Sequence, residues 1–362
     1  MYPALAVVEE LRAGGERADA EGLPALEAVL YVGTIGGMEE GIVRRAAIPF
    51  EAVHAAGLLG LALIQKLANS LDVARGTIEA ARLLRRFHPD VVLATGGYAS
   101  APVVVSAWLQ GCPVLIYLPD VEPGLAIRWL SVLARRVAVS FVVSEKYFGE
   151  GKVVATGYPV RRALYEVDKA AARQRLGLDA HAMTLLIFGG SRGAHSINAA
   201  VRGSVERLLE RAQVIHITGQ DDLQWLQQRC AELPKPLAAR YRLSAYLHEE
   251  MLDALGAADL AVARAGAATM GEFAAVGLPS VLVPYPHAGR HQEANADYLV
   301  ECGAARKLND SAVAAGALIE TVVELLADEE TLHRMSDQAR KLARPHAARS
   351  IALQLAALAG GG

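Results

Sequence analysis

Cysteine is scarce in this sequence. Cys112, Cys230 and Cys302 are spread over 362 residues. Their number is odd, no Cys-x-x-Cys pair occurs and no secretory leader is expected before them. This fits a reducing cytoplasm better than a disulfide framework, and the thiols are expected to be small core side chains. Excess charge of either sign is also lacking. Lys plus Arg number 36 and Asp plus Glu 39, a net charge of −3, which argues against a globally basic nucleic-acid binder and predicts no nucleic-acid partner. Neither His-Glu-x-x-His nor any other metal-ligand spacing is present, so no metal or other cofactor is expected. Long unbroken apolar runs are missing too. Val91 to Pro119 is uncharged, but Gly96-Gly97, Pro102, Gly111 and Pro113 interrupt it, and it reads as strand, loop, helix and strand.

Apolar residues are plentiful, at 53% against 21% charged, enough for the cores of two domains at roughly 150 residues each. Short β-branched runs alternate with longer Ala- and Leu-rich amphipathic stretches, which implies βαβ units and a parallel sheet flanked by helices. The spacing predicts strands at Val29-Val32, Val91-Ala94, Val114-Tyr117, Val137-Phe141, Leu185-Phe188, Val214-Thr218, Leu260-Ala263 and Val281-Val283. It predicts helices at Pro3-Ala13, Thr77-Phe87, Pro102-Gln110, Ser196-Arg211, Leu223-Glu232, Thr269-Val276, Glu293-Cys302 and Ala317-Ala327. Gly157-Tyr158-Pro159-Val160-Arg161 reads as a junction, so domains are expected at 1–160 and 161–340. A helical stretch from Leu332 to Leu358 should bring residues 341–362 back to the first domain. The opening Met1-Tyr2-Pro3-Ala4-Leu5-Ala6 already starts a helix, whereas a doubly wound domain normally begins with a central strand and a glycine-rich turn.

Several strand-to-helix turns fall where ligands of open α/β sheets bind. Leu185 to Ala194 runs from an apolar strand into Gly189-Gly190-Ser191-Arg192-Gly193-Ala194. Glycine lets the backbone approach an anion, and helix-start amides favour negative charge, so the turn reads either as a diphosphate cradle or as an ordinary βα turn. Arg264-Ala265-Gly266-Ala267-Ala268-Thr269 follows strand Leu260-Ala263. Glu272, one turn into the next helix, either accepts from ribose hydroxyls or is a solvated carboxylate. Pro284-Tyr285-Pro286-His287 leads to Gln292 and Asn295, three apart on one helix face. Their amides either read sugar hydroxyls or merely cap the helix. In the first half, Thr95-Gly96-Gly97-Tyr98 and Asp120-Val121-Glu122-Pro123-Gly124 follow strands, and Asp120 suits helix capping equally well. Leu58-Leu59-Gly60-Leu61-Ala62-Leu63-Ile64, followed by Lys66, Arg75, Arg82, Arg85 and Arg86, fits an anionic membrane surface or a core-facing helix with a basic outer face.

In this order the units resemble the bacterial glycosyltransferases that add N-acetylglucosamine to lipid-linked muramyl-pentapeptide, completing the peptidoglycan precursor lipid II (the MurG family). Matching residues are Tyr2-Pro3-Ala4-Leu5-Ala6, Pro89-Asp90-Val91-Val92, Gly96-Gly97-Tyr98, Gly157-Tyr158-Pro159-Val160-Arg161, Gly189-Gly190-Ser191-Arg192-Gly193-Ala194, Arg264-Ala265-Gly266-Ala267, Glu272, Gly277-Leu278-Pro279, Pro284-Tyr285-Pro286, His291-Gln292 and Asn295-Ala296. Each motif alone is weak; the ordered set spans nearly the whole chain.

The resemblance implies a GT-B α/β fold, with two Rossmann-like domains whose parallel sheets face a cleft, the first strand of the N-terminal domain being missing. It implies UDP-N-acetylglucosamine bound by the second domain, with Arg161 and Ser191 on the UDP diphosphate and Ala267, Ala268 and Thr269 along the nucleotide. Glu272 would take the ribose, Gln292 with Asn295 the sugar, and the backbone at His248 the uracil. Lipid I would be held by the first domain, with Leu58-Ile64 on the anionic inner surface of the bacterial cell membrane, making the enzyme peripheral on its cytoplasmic face. The implied reaction is an inverting transfer of N-acetylglucosamine that gives lipid II. Two departures stand out. The family places a strand and Gly-Gly-Thr-Gly-Gly-His before the residue that Met1 occupies, so a longer natural chain is expected, and the chain as given would lack that His base and be impaired. Leu118-Pro119-Asp120 replaces the family's Glu-Gln-Asn, which leaves Asp120 and Glu122 as substitute bases. Other readings are a UDP-sugar epimerase of the same fold, a diacylglycerol-type lipid glycosyltransferase, and a binding protein without catalysis.

Overall fold

The computed structural model describes residues 1–14, 23–37, 39–55, 63–97, 99–190, 193–286 and 291–360, with backbone alone for 63–71. Tyr98, Ser191, Arg192, His287 and most of the Leu58-Ile64 segment lie outside the described residues. The chain divides into two compact units, Met1–Pro159 with His346–Gly362, and Val160–Pro345. Among the described residues no helix is long and apolar enough to cross a membrane.

The first unit contains α1 (Tyr2–Ala13), β1 (Tyr31–Thr34), α2 (Glu39–Arg45), β2 (Phe50–Val53), α3 (Leu63–Phe87), β3 (Val92–Ala94), α4 (Ser100–Leu109), β4 (Val114–Leu118), α5 (Leu125–Leu130), β5 (Arg136–Val139) and β6 (Val153–Ala155). Pro3 sits in the first turn of α1, where its missing N–H breaks no helical bond. α1 packs against the C-terminal helix, Ala347–Ala359. The strands are all parallel but form two sheets, β1-β2 and β3-β4-β5-β6. Every residue of β4 is buried, as expected for a strand covered on both faces. Val53 of β2 shares one apolar core with β3, β4 and β5, and Val32 of β1 packs against it. α3 lies so close to the end of β2 that a Cβ on Gly76 would be 1.8 Å from the His54 carbonyl oxygen.

The second unit contains α6 (Lys169–Arg175), β7 (Thr184–Phe188), α7 (His195–Leu209), β8 (Gln213–Ile217), α8 (Gln220–Ala231), α9 (Lys235–Ala238), β9 (Tyr241–Ser244), α10 (Glu250–Ala257), β10 (Leu260–Ala263), α11 (Ala267–Val276), β11 (Ser280–Leu282), α12 (His291–Glu301), β12 (Ala305–Lys307), α13 (Asp310–Ala314), α14 (Ala317–Ala327) and α15 (Glu329–Lys341). Its parallel sheet has the order β12-β11-β10-β7-β8-β9, so the first strand, β7, lies between β8 and β10. In the first unit no described strand joins β1 to β3 in the same way.

Four strands were not expected from the sequence: β2, β6, β9 and β12. The expected Leu332-Leu358 stretch is two helices, interrupted before His346 by Pro345, whose ring blocks helix continuation. α3 begins at Leu63, well before the expected Thr77, and β1 begins two residues later than expected.

A buried ion pair joins the starting ends of the two central strands. Arg173 is 8% exposed and donates to Asp259 Oδ2 at 2.6 Å and to the carbonyls of Ala180 and Ala257 at 2.6 and 3.2 Å. Asp259 Oδ2 also accepts from the Thr184 amide at 2.7 Å. Removing one partner strands a desolvated charge, so Asp259→Ala should lower the unfolding free energy of the second unit by about 3–5 kcal/mol in urea titration. Glu320→Ala, which breaks the solvent-exposed pair with Arg207, should leave that value unchanged. Equal effects of the two substitutions would refute this ranking.

Candidate functional site

β7 and β10 pair in register from Leu185↔Leu260 to Phe188↔Ala263. The chain then leaves β7 toward β8 and leaves β10 toward β11, in opposite directions across the sheet, which makes their shared carboxyl end the topological switch point. Each strand runs within a few residues into a helix, α7 or α11. The residues preceding these helices, Ala194 and Gly266, supply no side-chain cap. The first amides of α7 and α11, the helices that follow these two neighbouring strands, therefore lack intrahelical acceptors and side-chain caps, each at the positive end of its helix dipole. This arrangement suits an anion, and above all a diphosphate.

Backbone contact fixes the first of these arrays. Gly193 has φ +76°, and a Cβ there would stand 2.1 Å from the Thr218 carbonyl oxygen. A Cβ on Gly189 would meet the Ala194 nitrogen at 2.2 Å. Thr218 is itself held from behind, because Asn198 Nδ2 donates to its carbonyl at 2.8 Å and to Asp222 Oδ2 at 2.7 Å. With both amide protons used, Asn198 Oδ1 accepts from His216 Nε2 at 2.9 Å, which assigns the tautomer and leaves His216 Nδ1 to accept from the Tyr241 hydroxyl at 2.8 Å. Burial drives the His216 pKa down to about 3, partly opposed by Asp222, so the ring is neutral.

Arg264 follows β10 and lies under the neighbouring loops. Its Nη1 lies 2.9 Å from Asp310 Oδ1, 3.1 Å from Val283 O and 3.2 Å from Pro284 O, and its Nη2 donates to Ser196 Oγ at 3.0 Å. The Thr269 hydroxyl donates to the Arg264 carbonyl at 3.2 Å. Gln292 Oε1 accepts from the Tyr285 amide at 2.8 Å. Asn295 is fully buried and donates to the Ala265 carbonyl at 3.0 Å, so its amide braces the loop before α11.

The expected site residues fall into two groups. Arg161, His248, Ala267, Ala268, Thr269, Glu272, Gln292 and Asn295 belong to the second unit, whereas Asp120 and Glu122 belong to the first. Ala267, Ala268 and Thr269 form the first turn of α11, and Glu272 lies one turn further on. Loss of hydration raises the Glu272 pKa to about 7, and the nearby Arg161 guanidinium limits the rise. His248 is exposed on the loop after β9, its ring centroid 4.7 Å from that of Tyr246. Glu122 accepts from the Tyr147 hydroxyl at 3.0 Å. Among the described residues no three His, Cys, Asp or Glu side chains converge to hold a metal ion. Sequence reasoning missed Ser196, Asp310 and the Asn198–His216 pair. Ser196 and Asp310 are 114 positions apart, and no local pattern links them.

Residues 1–139 match the Glycosyltransferase family 28 N-terminal domain, and residues 184–351 match the Glycosyltransferase family 28 C-terminal domain. The UDP-N-acetylglucosamine--N-acetylmuramyl-(pentapeptide) pyrophosphoryl-undecaprenol N-acetylglucosamine transferase of Roseiflexus sp. (strain RS-1) is 40% identical over 99% of this chain and 92% of its own length. The crystal structure of Acinetobacter baumannii MurG is similar with a TM-score of 0.71 and 27% identity, covering 98% of this chain and 95% of that one. UDP-GlcNAc 2-epimerase from Neisseria meningitidis, solved bound to UDP-GlcNAc, gives a TM-score of 0.65 at 14% identity over 97% of this chain and 94% of its own. At that identity the likeness is one of fold.

Glu272 makes stability depend on pH in a stated direction. Its carboxyl titrates at about 7 in the folded chain, against an ordinary 4.5. Between those values the folded chain binds more protons than the unfolded one, so this group's contribution falls as pH rises through the window and is lowest above it. Glu272→Gln should therefore gain stability relative to the unaltered chain between pH 5 and pH 8, measured by urea titration at each pH. A difference that stays constant across that range would contradict the assignment.

Proposed function

The chain belongs to glycosyltransferase family 28 through both of its units, and from that premise we propose that it is the N-acetylglucosaminyltransferase of lipid II synthesis. It moves N-acetylglucosamine from UDP-N-acetylglucosamine to undecaprenyl-diphospho-N-acetylmuramyl-pentapeptide. The observation that supports this most is the pair of uncapped helix starts at the β7–β10 switch point, with Glu272 one turn along α11. A nucleoside diphosphate matches both features, placing anionic oxygens on the amides and ribose hydroxyls on the carboxylate.

In the reaction an acceptor hydroxyl oxygen forms a bond to the anomeric carbon while that carbon's bond to the diphosphate oxygen breaks. UDP leaves with the electron pair, and the hydroxyl proton passes to a base. A single displacement from the opposite face converts the α-linked donor into a β-linked product. Negative charge grows on the departing diphosphate, so preorganised amides stabilise the transition state more than the ground state. On this reading Arg161 and Ser191 assist at the diphosphate, Ala267, Ala268 and Thr269 line the nucleotide, and the backbone at His248 meets the uracil. Gln292 reads the sugar, with Asn295 acting through the Ala265 carbonyl. In the first unit, Asp120 and Glu122 offer carboxylates for the acceptor proton.

The lipid acceptor calls for contact with the anionic, cytoplasmic surface of the cell membrane, made by the first unit in part through residues 58–64. Leu125, Trp129 and Val132 favour such contact: they are 52%, 76% and 74% exposed, beside the exposed Arg128. The epimerase reading rests on fold alone.

Product analysis tests the proposal. UDP-N-acetylglucosamine and a lipid I analogue should yield a β-linked disaccharide on the polyprenyl diphosphate; an epimerised sugar or a glycosylated diacylglycerol would overturn it. Glu272→Ala should weaken UDP binding at least tenfold, about 1.4 kcal/mol, and Gln292→Ala should lower kcat/KM for the sugar donor by a similar factor. Because the deprotonated carboxylate accepts the ribose hydroxyls, UDP affinity should fall as pH drops below about 7. Calorimetry on Glu272→Gln should show that dependence lost.

A further inference from the structure

We propose that Ser196, Arg264 and Asp310 form one clamp that positions the diphosphate-binding turns, with Arg264 as its centre. The inference rests on the functional reading above and extends it to residues remote in sequence from the glycine turn.

The three side chains close a ring. Arg264 Nη2 donates to Ser196 Oγ at 3.0 Å, Ser196 Oγ donates to Asp310 Oδ1 at 2.8 Å, and Arg264 Nη1 donates to the same Oδ1 at 2.9 Å. Each member comes from a different strand-to-helix connection. Ser196 is the second residue of α7, Arg264 directly follows β10, and Asp310 begins α13 after β12. Arg264 also reaches the fourth connection, after β11, through the carbonyls of Val283 and Pro284 and the ring of Tyr285, whose centroid is 5.3 Å from Cζ. One guanidinium thus ties together the chain ends of β7's helix, β10, β11 and β12.

Arg264 is only 9% exposed. A buried ion pair is often no more stabilising than apolar residues of the same volume, so stability alone gives little reason for one here. Its charge is matched by Asp310, and both terminal nitrogens, Nη1 and Nη2, are directed at protein oxygens. It therefore acts on a ligand indirectly, by fixing the α7 amides against those of α11. A planar fork with five donors can hold several acceptors at fixed angles; an ammonium cannot. Displacing one amide array by a fraction of an ångström weakens every hydrogen bond to a bound diphosphate at once.

The test compares UDP binding by the full chain with that of Ser196→Ala, Asp310→Asn and the double variant, alongside thermal unfolding without ligand. Each single variant should raise the Kd for UDP about tenfold. In turnover with a lipid I analogue, KM for UDP-N-acetylglucosamine should rise and kcat should fall as well, because the displaced amides also serve the charge that grows on the departing diphosphate. The double variant should bind no more weakly than the weaker single variant, because both substitutions break the same ring. Ser196→Ala removes one hydroxyl and leaves the charge pair intact, so it reports on positioning even if Asp310→Asn unfolds. Unaltered UDP affinity in Ser196→Ala and in any folded Asp310→Asn would overturn the clamp, whatever happens to the melting temperature, as would additive losses. Failure of the unaltered chain to bind UDP would instead overturn the functional reading itself.

Discussion

Gly193 rests against the Thr218 carbonyl with no room for a Cβ, and the geometry of the second unit's site follows from that contact. It fixes where α7 begins, and hence where its free amides lie relative to those of α11. The contact is rigid only because Thr218 is rigid. Tyr241, His216 and Asn198 form a buried relay of hydrogen bonds ending on the Thr218 carbonyl, and His216 stays neutral there because burial disfavours its charged form. A surface built from backbone groups is thus held in place by side chains that never reach it.

Charge is used differently at the two ends of β10. Asp259 immediately precedes the strand and pairs with Arg173, whereas Arg264 immediately follows it and pairs with Asp310. Four apolar residues, Leu260–Ala263, are thereby pinned at both ends by guanidinium–carboxylate pairs. At the starting end the pair joins β10 to the first amide of β7 through Thr184. At the finishing end it joins loops. Glu272, nearby on α11, has no such complete compensation, and its raised pKa measures the cost of keeping a carboxylate where hydration is poor.

Most of the central architecture was legible in the sequence. β4, β7, β8 and β10 are buried along nearly their whole length and read as predominantly apolar runs, with Thr184 of β7 and Gln213 and His216 of β8 as polar exceptions. The four unexpected strands, β2, β6, β9 and β12, are all outermost in their sheets and carry mixed burial. Half-covered strands of three or four residues give little periodic signal. The same contrast holds for the site. The turns before α7 and α11 announce themselves through glycine and small residues at a strand end. Spacing puts Asn295 on one helix face with Gln292 and leaves it either sugar-reading or capping; its burial and its bond to the Ala265 carbonyl are tertiary facts that spacing does not carry. Ser196 and Asp310 meet only because β7 and β12 belong to one sheet, which no local pattern encodes.

The first unit is assembled from both ends of the polypeptide, since α1 packs against the helix at Ala347–Ala359. During synthesis its opening segment emerges long before the partner it needs, while the second unit is contiguous and can collapse as soon as it clears the ribosome. α1 can be covered by Ala347–Ala359 only once that later helix has been made, so their shared packing joins segments far apart in sequence and forms late. The contact between α1 and Ala347–Ala359 is thus of high sequence separation, whereas the second unit is closed by contacts within one contiguous stretch.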